Sequence, residues 1–246
     1  MYKTMDRLIN KIICGDCMFH MAQFPANYID LVLTDIPYGT VNKAAGVIGG
    51  VRNLHKGDAD NVTFELEPFL YEINRICRGS IYIFCSTEQV SFIRQYFVDM
   101  KLSTRHCIWE KTDPSPMLGQ YMWTSGFENC IYAKNKNATF NEYCKPGIWK
   151  CHSGKSDLHP TQKPIKLFKR LVAASSNPGD IVFDPCIGSG TTGAAALRLG
   201  RRFIGIDISP EYCNLARGFV GQKDFEEWDE ASHNEKKGIL KKGLLF

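Results

Sequence analysis

Two stretches of this 246-residue chain gather side chains that could do chemistry. Residues 31–40 read LVLTDIPYGT: an apolar run leads to Asp35, and the chain turns through Ile36, Pro37, Tyr38 and Gly39. A carboxylate, a proline-fixed bend and an aromatic ring then stand side by side at a strand end. Residues 180–210 read DIVFDPCIGSGTTGAAALRLGRRFIGIDISP. Here one run ends at Asp184, Gly188, Gly190 and Gly193 form a G-x-G-x-x-G, and a further run ends at Asp207. Glycines in such a turn let the backbone approach a ligand, and the helix that follows offers free N–H groups. An acid at the end of the next strand suits ribose hydroxyls. The spacing alone fits a dinucleotide site, or a glycine-rich connection with no ligand. Asp184 argues against the dinucleotide, because its carboxylate would face a diphosphate of like charge. An acid there suits a ligand with an ammonium group. S-adenosylmethionine has one, with a ribose diol and no phosphate.

These residues need strands that end together. Apolar runs of strand length occur at 11–14, 30–34, 80–85, 104–109, 128–133, 180–184 and 202–206, too short for buried helices. Amphipathic helical patterns lie between them at 65–78, 87–100, 164–176, 190–199 and 209–220. The alternation predicts an α/β fold: a seven-stranded, mostly parallel sheet with helices on both faces. No helical period separates 104–109 from 128–133, so the last strand at that end is expected to be antiparallel. A single domain over residues 1–246 suits this length and a hydrophobic content of 44%. Two stretches break the pattern. Residues 40–62, with four glycines and Lys43, Arg52 and Lys56, read as a mobile loop hanging off the first motif. Residues 134–160 are polar, basic and aromatic, with Phe140, Tyr143 and Trp149, and read as a small insert.

The formal net charge is only +4, but its distribution is uneven. Between residues 134 and 170, nine Lys and Arg stand against Glu142 and Asp157, which fits a polyanionic partner or a solvated basic face. Ten cysteines show no disulfide framework. Cys85, Cys107 and Cys130 sit in apolar runs, as reduced buried thiols of a cytoplasmic protein do. Cys144, Cys151 and His152 lack the spacing of a usual zinc site, so no metal is expected. No signal peptide and no run of 18 apolar residues is present, which predicts no membrane association.

TDIPYG, HPTQKP, FDPCIGSGTTG and FIGIDISPEY, in that order, resemble the β-class DNA amino-methyltransferases. That family places the catalytic motif first, then the target-recognition segment, then the cofactor turn. The resemblance covers most of residues 11–221. It implies the S-adenosylmethionine-dependent methyltransferase fold, with the cofactor at the carboxyl ends of the strands. Carried over by motif, Asp184, Gly188, Gly190, Thr191 and Thr192 line the methionine side, and Asp207 holds the ribose. The CGDC segment nominates Asp16 and Cys17 for the cofactor adenine. HPTQKP nominates His159, Thr161 and Lys163 near the methionine tail, with Lys163 suited to the cofactor carboxylate.

The resemblance also implies a mechanism. The Asp35 carboxylate and the Ile36 carbonyl hold the hydrogens of an exocyclic base amine, Pro37 sets the turn, and Tyr38 stacks on a flipped-out base. Aspartate at the first position leans to adenine N6 over cytosine N4. One departure stands out: Ile36 replaces the family's usual proline, keeping the carbonyl and losing the φ constraint. DNA contact is expected from 40–62, 111–126 and the basic insert, with Trp123 and Trp149 suited either to a core or to base stacking. The short insert points to a homodimer or a helper subunit. The competing readings are an Asn-Pro-Pro-Tyr enzyme acting on RNA or protein, disfavoured by motif order and by Asp35, and a non-catalytic DNA-binding protein.

Overall fold

The computed structural model describes residues 5–38, 64–116, 119–153 and 162–221. The apolar runs form strands β1 (Lys11–Cys14), β2 (Ile29–Asp35), β3 (Cys77–Cys85), β4 (Ser103–Lys111), β5 (Phe127–Lys134), β6 (Ile148–Cys151), β7 (Ile181–Asp184) and β8 (Arg202–Asp207). They make one sheet in the order β1-β8-β7-β2-β3-β5-β4-β6. The helices are α1 (Cys17–Met21), α2 (Leu66–Ile76), α3 (Thr87–Asp99), α4 (Ile165–Ser175), α5 (Thr191–Arg198) and α6 (Pro210–Gly221). Among the described residues, none of them is long and apolar enough to cross a membrane.

Most strands are buried on both faces, which is why they read as continuous apolar runs rather than alternating ones. Leu31 and Leu33 of β2, with Tyr82 and Phe84 of β3, pack toward α4, α5 and α6. Val32 and Ile36, with Ile81 and Ile83, pack toward α1, α2 and α3. Helix α2 presents Phe69, Leu70, Ile73 and Ile76 as one apolar stripe. Ser86 and Gln89 start α3 with a reciprocal capping box.

Two expectations are corrected. The sheet has eight strands, not seven, because Ile148–Cys151, inside the expected insert, pairs in parallel with β4. Four residues are too few to show a period, and only Trp149 among them is buried. The reversed strand is β5, which is antiparallel to both β3 and β4. It is neither last in the chain nor at the sheet edge, since β4 returns beyond it and β6 closes that side. Trp149 belongs to the core, tilted against Tyr82 and Phe84 at ring distances of 6.2 and 6.4 Å. Trp123, in the β4–β5 connection, is 99% exposed.

From β2 the chain moves across the sheet to β3, and from β7 it moves the other way to β8. The topology therefore switches between β7 and β2, which opens a crevice at the carboxyl ends of these strands. Asp35 ends β2 and Asp184 ends β7.

Candidate active site

Asp35 emerges from a strand fixed on both sides by parallel partners. Ile36 extends the β2–β3 ladder by one bond, its N–H donating to the Phe84 carbonyl at 3.2 Å. A proline there has no N–H to give. The Ile36 side chain is 2% exposed and packs in the α1–α3 layer. The φ constraint lost with proline is thus replaced by a hydrogen bond and a buried anchor. The next carbonyl, of Pro37, accepts from Gln89 Nε2 at 3.1 Å, and Gln89 Oε1 accepts from the Ser86 N–H at 2.9 Å. The catalytic-motif turn is thereby tied to the start of α3.

Around Asp35 lies a cluster of charges. The Lys163 ammonium donates to Asp35 Oδ2 and lies 3.0 Å from Glu128 Oε2. Lys111 Nζ lies 2.7 Å from Glu128 Oε1. The Tyr38 hydroxyl donates to Asp35 Oδ1 at 2.8 Å and reaches Glu128 Oε2 at 3.3 Å. Burial pushes the Asp35 carboxyl above its ordinary value, with Lys163 opposing. Burial also disfavours the Glu128 charge, but Lys163 and Lys111 outweigh it and hold that carboxyl at about 2. Burial works against the Lys163 ammonium too, and the two carboxylates overcome it and raise its pKa. Burial lifts the Tyr38 phenol well above its usual range. Lys163, expected at the cofactor carboxylate, is instead committed here, because two carboxylates stand within reach of its buried ammonium.

The glycine turn sits across the crevice. Gly188 and Gly190 have φ of 49° and 91°, a region open to glycine at little cost. At Gly190 a Cβ would come within 3.0 Å of Ala216 Cα, so its close approach is to α6. Asp184 is 3% exposed; its oxygens accept from Thr192 Oγ1 at 2.6 Å and the Cys186 N–H at 3.1 Å. Burial pushes its pKa up to about 7. Thr191 Oγ1 donates to the Lys163 carbonyl at 3.3 Å, which joins the turn to the segment before α4. Asp207 Oδ2 accepts from the Gly188 N–H at 3.0 Å and Oδ1 from the Ser209 N–H at 2.9 Å. Burial raises this carboxyl as well. Asp16 caps α1, accepting from the Met18 N–H at 2.8 Å, and Cys17 is buried behind it.

The structure thus brings Asp35, Ile36, Pro37, Tyr38 and Lys163 into one cluster, and Asp184, Gly188, Gly190, Thr191, Thr192 and Asp207 into the adjoining turn. Asp16 and Cys17 stand at the end of β1, which pairs with β8 through Cys14 and Asp207. His159, Thr161 and the loop at 40–62 lie outside the described residues. Sequence reasoning missed Glu128, Lys111 and Gln89. Glu128 is the second residue of β5 and Lys111 the last of β4, and only the antiparallel pairing of these strands brings them together. The basic stretch is not one free face: Arg170 pairs with Glu142 at 2.8 Å, and Lys163 is buried.

Comparison with known proteins follows the same lines. A family model described as DNA methylase, for N6 and N4 methyltransferases, matches residues 29–218. The chain is similar to the type II methyltransferase M2.DpnII of Streptococcus pneumoniae, 30% identical over 249 residues, covering 88% of this chain and 90% of the relative. It is also similar to the DNA adenine methyltransferase YhdJ of Escherichia coli K12, 31% identical over 242 residues, covering 83% and 80%. Among solved structures, the M1.HpyAVI complex with SAM aligns at a TM-score of 0.66 and 26% identity, covering 85% of this chain and 98% of that one. The cytosine-N4-specific PvuII DNA methyltransferase shares the fold, with a TM-score of 0.68 at 18% identity over 87% of this chain and 86% of that one.

Proposed function

This chain belongs to the N6/N4 family of DNA methylases, and on that membership we propose that it methylates adenine N6 of a flipped-out DNA base with S-adenosylmethionine. The observation that carries this reading is the meeting of Asp35, Tyr38 and Lys163 beside the glycine turn, across the β7–β2 switch. Relatives named as DNA adenine methyltransferases support the choice of base, and the similarity to a SAM complex supports the cofactor.

The donor set fits that cofactor. The Gly188 N–H is already committed to Asp207, and two carboxylates flank the turn, an arrangement that repels a diphosphate. Each Asp207 oxygen accepts one backbone N–H and retains a lone pair for a ribose hydroxyl. When bound, S-adenosylmethionine supplies a methyl group on a sulfonium centre, an electrophile that needs no metal. The chain's own residues do the rest. An exocyclic amine is a poor nucleophile because its lone pair is delocalised into the ring. Asp35 and the Ile36 carbonyl accept the amine hydrogens and fix its orientation, so that positioning and preorganised charge lower the barrier. Lys163 favours the charged form of Asp35 against the burial that disfavours it. Tyr38 supplies the aromatic face against the base.

DNA contact is assigned to the β4–β5 connection and the basic residues near it. Tyr121, Met122 and Trp123 are exposed there, and the Lys111 N–H closes the base of the connection on the Gly126 carbonyl at 2.8 Å. Exposed aromatics beside a base-flipping site suit stacking on unpaired bases. Phosphate contacts by Lys and Arg give an affinity that falls steeply with salt. A second copy of the chain or a helper subunit would extend this small surface.

The test is methyl transfer from labelled S-adenosylmethionine to DNA, RNA and protein, followed by nucleoside mass spectrometry. N6-methyladenine in DNA is expected. N4-methylcytosine would reassign the base, and label confined to RNA or protein, or no label at all, would overturn the proposal.

A further inference from the structure

Asp35 faces a difficulty in the cluster as it stands. Its Oδ2 accepts from Lys163 and its Oδ1 from Tyr38 at 2.8 Å. Each oxygen keeps one further acceptor site, so an amine that binds there shares its oxygen with Lys163 or Tyr38 unless one of them gives way. Pulling Lys163 away would strand a buried cation, since its side chain is 9% exposed, and an uncompensated buried charge is strongly destabilising. The structure supplies a second carboxylate for it. Glu128 Oε2 is 3.0 Å from the same Nζ, and Glu128 Oε1 holds Lys111 at 2.7 Å. The four charges alternate in sign along one row: Lys111, Glu128, Lys163, Asp35.

We propose that Glu128 is a positioning residue for methyl transfer, receiving the Lys163 ammonium when the base amine takes its place on Asp35, while Lys111 competes for Glu128 and sets how readily this happens. The inference rests on the amine-clamp reading of Asp35. No proton or covalent bond changes hands at Glu128. The ammonium gives up one of its two buried ion pairs and keeps the other, so Asp35 frees the acceptor site that Lys163 held while the cation stays paired. Tyr38 assists from the same side, because its hydroxyl already lies 3.3 Å from Glu128. The role needs a carboxylate of this length on β5 and tolerates no neutral substitute.

Single-turnover methyl transfer to DNA by the whole chain, with S-adenosylmethionine prebound, tests this with three variants. Glu128→Gln keeps size and hydrogen bonding but loses the charge; its rate is expected to fall about 10- to 100-fold, the weight of a charged hydrogen bond, with cofactor affinity retained. Glu128→Asp restores the charge one methylene short and is expected to recover part of that loss. Lys111→Met removes the competitor for Glu128 and is expected to raise the rate. A purely structural role predicts a different pattern: Lys111→Met slower as well as Glu128→Gln, both in step with lower melting temperatures. That pattern, or a Glu128→Gln rate within about twofold of wild type, less than a charged hydrogen bond is worth, would overturn the inference while leaving the clamp intact. A wild-type chain that methylates no DNA removes the clamp reading itself, and this inference with it.

Discussion

Asp35 and Asp184 end neighbouring parallel strands, yet the protein treats them as opposites. Asp35 is surrounded by charge, with Lys163 on one oxygen, Tyr38 on the other and Glu128 behind. It also keeps 29% of its side chain exposed. Asp184 is 3% exposed and meets only neutral donors, the Thr192 hydroxyl and the Cys186 N–H. Burial raises both carboxyls above their ordinary value. A cation beside the first opposes that shift and favours its charged form. Neutral donors around the second make it a clamp that closes the glycine turn. The same side chain at neighbouring strand ends thus sits in two different environments, according to its partners and its exposed edge.

The contrast can be broken most severely at the cation. Lys163→Met leaves Asp35 and Glu128 facing each other without the charge between them. Its cost is expected to be about 3–5 kcal/mol, the penalty of breaking a buried ion pair from one side, read from urea unfolding. A loss below about 1 kcal/mol, typical of exposed pairs, would mean that water screens the cluster.

A smaller effect should appear at the neutral clamp, and it has a sign. The unfolded chain releases the Asp184 proton near 3.8, while the folded state holds it to about 7. Between these values the folded state binds the extra proton, so raising the pH through this window lowers stability. Asp184→Asn cannot titrate and should flatten that part of the melting-temperature profile. Glu128 runs the other way. Its carboxyl is lowered from 4.5 to about 2, so its contribution is present above pH 4.5 and fades on acidification toward 2. Parallel wild-type and Asp184→Asn curves between pH 4 and 7 would show that Asp184 is not held as described.

The smallest effect belongs to the turn's outer tether. Gln89→Ala removes the bond to the Pro37 carbonyl and half of the α3 capping box. A net loss of about 1 kcal/mol is expected, close to one hydrogen bond, with methyl transfer slowed severalfold rather than abolished. Abolition would place the tether on a par with Asp35.

How far the chain discloses this contrast depends on how local each feature is. β1 matches its apolar run at Lys11–Cys14, and β7 and β8 match theirs to within a residue at each end. While β1, at the sheet edge, buries only Ile12, the burial of β7 and β8 on both faces leaves an unbroken hydrophobic signature. The acids at their ends are legible for the same reason, since a strand with a carboxylate before a turn is a local pattern. Helix α1 has five residues, too few for a period, so Asp16 shows no sign of being its cap. Strand β6 is shorter still and hides in polar surroundings. Glu128 and Lys111 are ordinary charges at strand ends until β4 and β5 pair. Nothing in HPTQKP tells that Lys163 meets Asp35, 128 residues earlier in the chain. Ile36 shows the reverse: a departure from the usual motif that looked like lost rigidity is repaired by a backbone bond only the fold supplies.

The most direct measurement is single-turnover methyl transfer to DNA by Asp35→Ala, with cofactor affinity measured on the same sample. Removing one preorganised acceptor from the reacting centre should slow transfer at least about a hundredfold, while S-adenosylmethionine still binds through the untouched glycine turn. Transfer near the wild-type rate would contradict the amine clamp, and with it the distinction between the acid of β2 and the acid of β7.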